Sequence, residues 1–286
     1  MVGVGVGVGV PSAVRLAARE DSAAAAAARA PPTATAAATA ALTLASAAAS
    51  SPAPYKKGAG EDAWFIVDDA AGVFDGVGGW ASQGVDAGVY ARALASGTAA
   101  GVRSRGPTGV AAALADAVAG ADMLGSSTAA VIGLDAAAGS LVGCNLGDSG
   151  VRVIRGGAVV YRSAEQQYSF NFPAQVSAAD RGALAVAEPI AFGVEEGDWV
   201  LLATDGLLDN MWEAELLRLV AEAGGEAAKP AALAEAVRSR AVELSQMDNY
   251  ESPFSWGAKQ AGMRYPTQGK PDDVTVVFCR VQLRDP

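Results

Sequence analysis

Apolar positions along the chain change period several times, and each change predicts an element. Residues 63–67 and 71–74 are short apolar runs separated by Asp68-Asp69, the pattern of a hairpin. Over 85–103, and again over 108–122, apolar residues recur at helical spacing. The runs 128–134, 140–146, 151–155 and 158–161 then read as successive strands broken by Gly-, Asp- and Ala-containing turns, an antiparallel meander. A further strand over 199–203 ends at Thr204-Asp205-Gly206. Helical stretches over 213–223 and 231–246 follow, and a strand over 274–283 closes the series. Strands and helices come in blocks, so an α+β fold with helices packed on antiparallel sheets is expected over a doubly wound one.

Residues 1–54 differ in kind. A Val-Gly alternation from Val2 to Val10 passes into Ala/Ser/Thr/Pro sequence carrying three arginines and two acids. Side chains this small bury too little area to offset chain entropy, which predicts a low-complexity leader ahead of a globular domain over 55–286. Arg15, Arg19 and Arg29 in Ala/Ser-rich surroundings match an organellar transit peptide, against a cytoplasmic location if the segment carries no address. Residues 34–49 are apolar but dominated by Ala and Thr, and are shorter than the ~20 residues of a membrane helix, so no membrane span is expected.

Composition narrows the chemistry. Of 286 residues, 51% are hydrophobic, enough for one sizeable core, and the net charge of -10 argues against nucleic acid as a partner. Histidine is absent, which removes Ser-His-Asp and Cys-His nucleophiles, HExxH zinc sites and histidine general acids together. Cys144 and Cys279 stand alone in apolar runs and read as small buried residues with no disulfide. Gly269-Lys270 is followed by Pro271 where a phosphate-binding loop needs Ser or Thr, which dismisses ATP binding by that route.

Carboxylates mark the strand ends. Glu61-Asp62, Asp75-Gly76, Asp205-Gly206 and Asp272-Asp273 each sit where an apolar run meets a turn. Singly these are ordinary turns. Strand ends far apart in sequence converge on one rim when their sheets pack together, and a carboxylate cluster without histidine or thiolate suits Mg²⁺ or Mn²⁺ and not Zn²⁺ or copper.

In order and spacing, GEDAWF, FDGVGGW, GSSTAAV, NLGDSGVRV, ATDGLLDN and KPDDVTVV resemble the motif series of the metal-dependent type 2C Ser/Thr protein phosphatases over about residues 54–283. Glu165-Gln166-Gln167, Phe170-Asn171 and Ser252-Pro253-Phe254 are similar to the branch found in mitochondria and chloroplasts. The resemblance implies a four-layer α-β-β-α sandwich with a binuclear centre at one end. By that resemblance Asp75 bridges two metals, the Gly76 carbonyl serves one and Asp205 with Asp272 the other, and Glu61 with Asp62 forms the acidic pair that holds metal-bound waters, one of which attacks phosphorus. Asp122 falls near the ligand of a third, weaker ion, and Lys57 stands where relatives grip the substrate phosphate with arginine, a task that adjacent Lys56 could share. Asp148 and Asp209 lie in matching motifs but read as turn and cap formers. Val77 occupies the place where many relatives carry a histidine that protonates the leaving oxygen. The expectation is a monomeric phosphatase acting on a phosphoprotein. A phosphatase of a small phosphorylated metabolite and a pseudophosphatase binding module are the alternatives; loss of Asp75, Asp205 or Asp272 would favour the last, and all three are present.

Overall fold

The computed structural model describes residues 41–56, 58–224 and 228–284. Among them, two five-stranded antiparallel sheets carry the architecture. One runs, in spatial order, β1 (Leu42–Ser51), β14 (Val274–Leu283), β13 (Trp199–Ala203), β7 (Gly150–Arg155) and β8 (Ala158–Arg162). The other runs β12 (Glu188–Gly193), β6 (Ser140–Leu146), β5 (Ala129–Asp135), β3 (Ala70–Asp75) and β2 (Asp62–Val67). Two short pairs stand apart: β4 (Ser126–Ser127) with β11 (Val176–Ser177), and β9 (Gln167–Ser169) with β10 (Phe172–Pro173). The helices are α1 (Ala87–Arg105), α2 (Val110–Gly120), α3 (Asp205–Leu208), α4 (Glu213–Glu222), α5 (Pro230–Ser245) and α6 (Pro253–Gln260).

Successive strand residues point to opposite faces, so a strand covered on both sides needs an unbroken apolar run. In β13, Val200 and Leu202 enter the core between the sheets, whereas Trp199, Leu201 and Ala203 face the layer of α4 and α5. β14 divides the same way, with Val277, Cys279 and Val281 inward and Val274, Val276 and Phe278 outward. In β3, Ala71 and Val73 join the core between the sheets, and Ala70 and Phe74 pack with Tyr90, Leu94 and Leu114 of α1 and α2. Three cores therefore separate four layers, the expected α-β-β-α sandwich. Both cysteines are free and buried, as read from sequence, and burial raises the Cys144 thiol to about 11 and that of Cys279 to about 12.

Three features differ from the sequence reading. The leader was expected to reach residue 54, but residues 42–51 form β1, paired with β14 along its whole length. Its Ala/Ser sequence has little strand propensity and buries only Leu44 outright, worth about 1.5–3 kcal/mol. Pairing with β14 overrides that propensity. Residues 1–40 lie outside the described residues. The run of strands after residue 128 is also no single meander: β5 and β6 belong to one sheet, β7 and β8 to the other, and the chain changes sheets across Gly147-Asp148-Ser149. Finally, β12 went unforeseen because Pro189 and a half-exposed face break its apolar pattern. Among the described residues, no helix is long and apolar enough to cross a membrane.

Candidate metal centre

The rim is built where the two sheets end together. Asp62 and Asp75 are direct partners in the register of β2 and β3, which sets the two carboxyl-bearing residues side by side. Asp75 is locked at its backbone, its N–H donating to Thr128 Oγ1 at 3.3 Å and its carbonyl accepting the Thr128 N–H at 3.0 Å. From the other sheet, Thr204 follows β13 as the residue that caps α3, and Asp205 opens that helix. A Cβ on Gly206 would lie 1.8 Å from the Asp273 carbonyl oxygen, so only glycine lets this turn meet the start of β14. The change of sheet supplies the third arm: Gly147 takes φ 96°, and Asp148 follows it inward.

Carboxylate oxygens of Asp75, Asp148 and Asp205 lie within 4.8 Å of one another. Burial first, then the charges of Asp205, Asp62, Asp272 and Asp148, pushes the Asp75 carboxyl well above the usual carboxylate range. Burial, then Asp205 and Asp209, does the same to Asp148. Asp62 is raised by burial and then by Asp273, even though its Oδ2 accepts a 2.8 Å bond from Thr204 Oγ1, a hydroxyl itself fixed by the Thr275 N–H. Burial lifts Asp272 to about 6, with Asp205 adding to it. Asp205 behaves oppositely: burial works to raise it, but the Lys270 ammonium holds it below the ordinary value.

The structure brings Asp62, Asp75, Asp205 and Asp272, four of the carboxylates singled out from sequence, to one rim. Glu61 sits at its edge, its carboxylate 2.6 Å from Lys56 Nζ and its carbonyl oxygen accepting the Gly76 N–H at 3.2 Å. Asp122 is not brought in. Its carboxylate is 87% exposed and pairs with Arg181. Lys57 lies outside the described residues.

Four contributors were missed or passed over. Asp148, read as a turn former, owes its place to the change of sheet that the meander reading concealed. Asp273 is the loop organiser: Oδ1 accepts the Ala53 N–H at 2.7 Å, and Oδ2 accepts the Glu61 N–H at 2.6 Å and Lys56 Nζ at 2.8 Å. Lys270 reaches Asp205 at 2.5 Å, Asp209 at 2.7 Å and Asp272 at 3.2 Å. Asp209, its partner, is raised to about 7, chiefly by burial. The one sequence signal for Lys270 was a lysine two residues before a proposed ligand.

The donor set fits a hard divalent ion. All its members are oxygens, and Asp62 Oδ1 and Asp148 Oδ1 are buried with no hydrogen-bond partner. Buried acceptors of that kind call for a cation or an ordered water.

No protein-family model matches the chain. Among curated proteins, it is 39% identical over 236 residues to "Probable protein phosphatase 2C 55" of Arabidopsis thaliana, covering 80% of this chain and 50% of that one. It is 36% identical over 250 residues to "Protein phosphatase PTC7 homolog fig" of Drosophila grimshawi, covering 78% of this chain and 80% of that one. The chain therefore spans about half the length of the plant relative and most of the fly relative. Among solved structures, the photosystem II phosphatase PBCP matches with a TM-score of 0.76 and 27% identity, covering 84% of this chain and 100% of that one. The catalytic domain of the phosphatase PstP, solved with two manganese ions, matches at 0.58 and 18% identity over 84% of this chain and 99% of its own, a likeness of fold alone. With its acidic rim, four-layer fold and these relatives, the chain belongs to the metal-dependent type 2C family of Ser/Thr protein phosphatases.

Proposed function

We propose that this chain is a Mg²⁺- or Mn²⁺-dependent phosphatase that hydrolyses phosphoserine and phosphothreonine in proteins. The observation that carries the reading is the meeting of Asp75, Asp148 and Asp205 at one rim with Asp62 and Asp272 beside them. In this assignment Asp75 would be shared by both ions, the Gly76 carbonyl with Glu61 would help hold one, and Asp205 with Asp272 would hold the other. When bound, two such ions lower the pKa of a water, shield the phosphoryl oxygens and stabilise the leaving oxygen.

The chain's own residues supply orientation and a proton acceptor. Thr204 fixes Asp62 through Oδ2, which leaves the buried, unpartnered Oδ1 as the atom that orients a water and takes its proton. Lys56 is committed to Glu61 and Asp273, so Lys57 is the proposed contact for the substrate phosphate.

A protein substrate is supported by the names of the relatives, and we take the working unit to be a monomer. The Arg-bearing, Ala-rich composition of residues 1–40 and the likeness to a photosystem II phosphatase support delivery to a chloroplast or mitochondrion. A fluorescent reporter carrying residues 1–40 is expected in an organelle, and diffuse cytoplasmic signal would overturn that assignment.

The enzymatic reading is tested by phosphate release from phosphopeptides and small phosphoesters by the full chain, with Mn²⁺, Mg²⁺ and chelator in parallel. Release from peptides that needs either ion and stops with chelator is expected. A kcat/KM higher on a phosphorylated metabolite than on every peptide would replace the protein substrate with a small one. No release by metal-loaded protein would leave a binding module.

A further inference from the structure

Lys270 is held as if built for one position. Its backbone N–H donates to Asn210 Oδ1 at 2.7 Å, and its carbonyl accepts Asn210 Nδ2 at 2.8 Å. Asn210 is itself fully buried and also donates to the Gly206 carbonyl at 2.9 Å, tying Lys270 to the turn that carries Asp205. The ammonium lies 4.9 Å from the centroid of the Phe254 ring, and the side chain is only 14% exposed. From there Nζ takes Oδ2 of Asp205, Oδ2 of Asp209 and Oδ2 of Asp272.

Three carboxylates, one oxygen each, surround this single positive charge. A divalent ion taking the same oxygens of Asp205 and Asp209, at about 2.0–2.1 Å, would compete with the ammonium for them. The other residue considered for a third ion, Asp122, is exposed and bound to Arg181. We propose that Lys270 is the centre's own third cation, a positioning residue that fills the seat between Asp205, Asp209 and Asp272 and limits the rim to two divalent ions. The proposal rests on the metal-centre reading above and adds to it a count. It also gives Asp209 a task, since its carboxylate is one of the three that hold the ammonium.

The test is the number of Mn²⁺ ions bound per chain at saturation, measured by equilibrium dialysis with metal analysis and by titration calorimetry on the full chain. The unmodified protein is expected to bind two ions. Lys270→Met, which keeps the length of the side chain and removes its charge, is expected to bind one ion more. That extra ion should be lost again in the double variant Lys270→Met/Asp209→Asn. Equal counts in the parent and a folded Lys270→Met protein would overturn the proposal, and so would three ions on the parent, a result that needs no variant to fold. Lys270→Gln, whose amide still donates to carboxylates, supplies the same comparison if the methionine variant fails to fold. A parent that binds no ion would instead overturn the metal-centre reading itself.

Discussion

At the scale of single residues, burial decides which acids matter. Asp75 and Asp205 contribute charge to the rim and almost no apolar packing, so Asp75→Asn and Asp205→Asn are each expected to reduce kcat at saturating Mn²⁺ by at least about 100-fold while the fold survives. Asp122→Asn, at an exposed ion pair, is expected to leave kcat and Mn²⁺ binding within about twofold, because such pairs contribute at most about 1 kcal/mol. Activity within tenfold of the parent for either rim variant would refute its assignment. The same acids predict a pH dependence for chelator-treated protein. Asp209, raised to about 7, and Asp272, raised to about 6, each chiefly by burial, bind a proton more tightly folded than unfolded. Their contribution to stability is fully present below the unfolded value of about 4 and is lost as pH rises through 6 and 7. Asp205, held low by Lys270, works in the opposite direction, but Asp62, Asp75 and Asp148 are all shifted upward. Thermal unfolding in chelator should therefore give a Tm several degrees lower at pH 8 than at pH 5.5, with Mn²⁺ restoring it at pH 8. A Tm that is flat or rises between those values would show that the cluster does not hold excess protons when metal-free.

At the scale of elements, legibility followed burial. β13 was read to the residue because both its faces are covered and its sequence, Trp199 to Ala203, has no polar position to blur the ends. The hairpin of β2 and β3 was equally plain, its turn marked by Asp68 at φ 49°. The period-2 and period-3.6 signals fail where an element is specified by its neighbour and not by its own side chains. β1 is the clear case, since an Ala/Ser strand carries no pattern and exists through its pairing with β14 and through Asp69, which accepts bonds from Thr43 Oγ1 at 2.6 Å and the Leu44 N–H at 2.8 Å. The change of sheet at Gly147-Asp148-Ser149 was hidden for a related reason: strand spacing along the chain does not say which sheet receives the next strand, and Asp148 was lost with it. β1 yields a sharp expectation. Removing residues 1–40 should leave Tm and turnover unchanged, whereas removing residues 1–54 strips β14 of a neighbour along ten residues and should give insoluble or non-cooperatively unfolding protein. Equal Tm values for the two truncations would show that β1 is dispensable.

At the scale of the whole molecule, the composition itself sets a chemical limit. No histidine occurs anywhere in the 286 residues, and Val77, its backbone N–H bound to the Ser126 carbonyl at 3.0 Å, stands two residues after Asp75, where the family resemblance implies a histidine that protonates the leaving oxygen. A valine transfers no proton. The carboxyls gathered at the rim are on this reading engaged with cations and a nucleophilic water, which leaves no imidazole to protonate a departing alkoxide, and general acid help worth about 10² to 10⁴ in rate is to that extent missing. Aryl phosphates, whose leaving groups are already stable anions, should suffer least. The ratio of kcat on a phosphoserine peptide to kcat on an aryl phosphate is accordingly expected to be small, and Val77→His should raise it by about tenfold or more while moving the aryl rate little. Val77 itself is half-buried, just before a short 3-10 turn at Gly78–Gln83. The pH profile supplies a second readout, because the variant should acquire a titration near the ordinary histidine value of about 6.5 in its alkyl-phosphate rate that the parent lacks. An unchanged ratio in a folded, metal-loaded Val77→His protein would mean that leaving-group protonation does not limit this enzyme and that direct stabilisation of the leaving oxygen at the rim is sufficient.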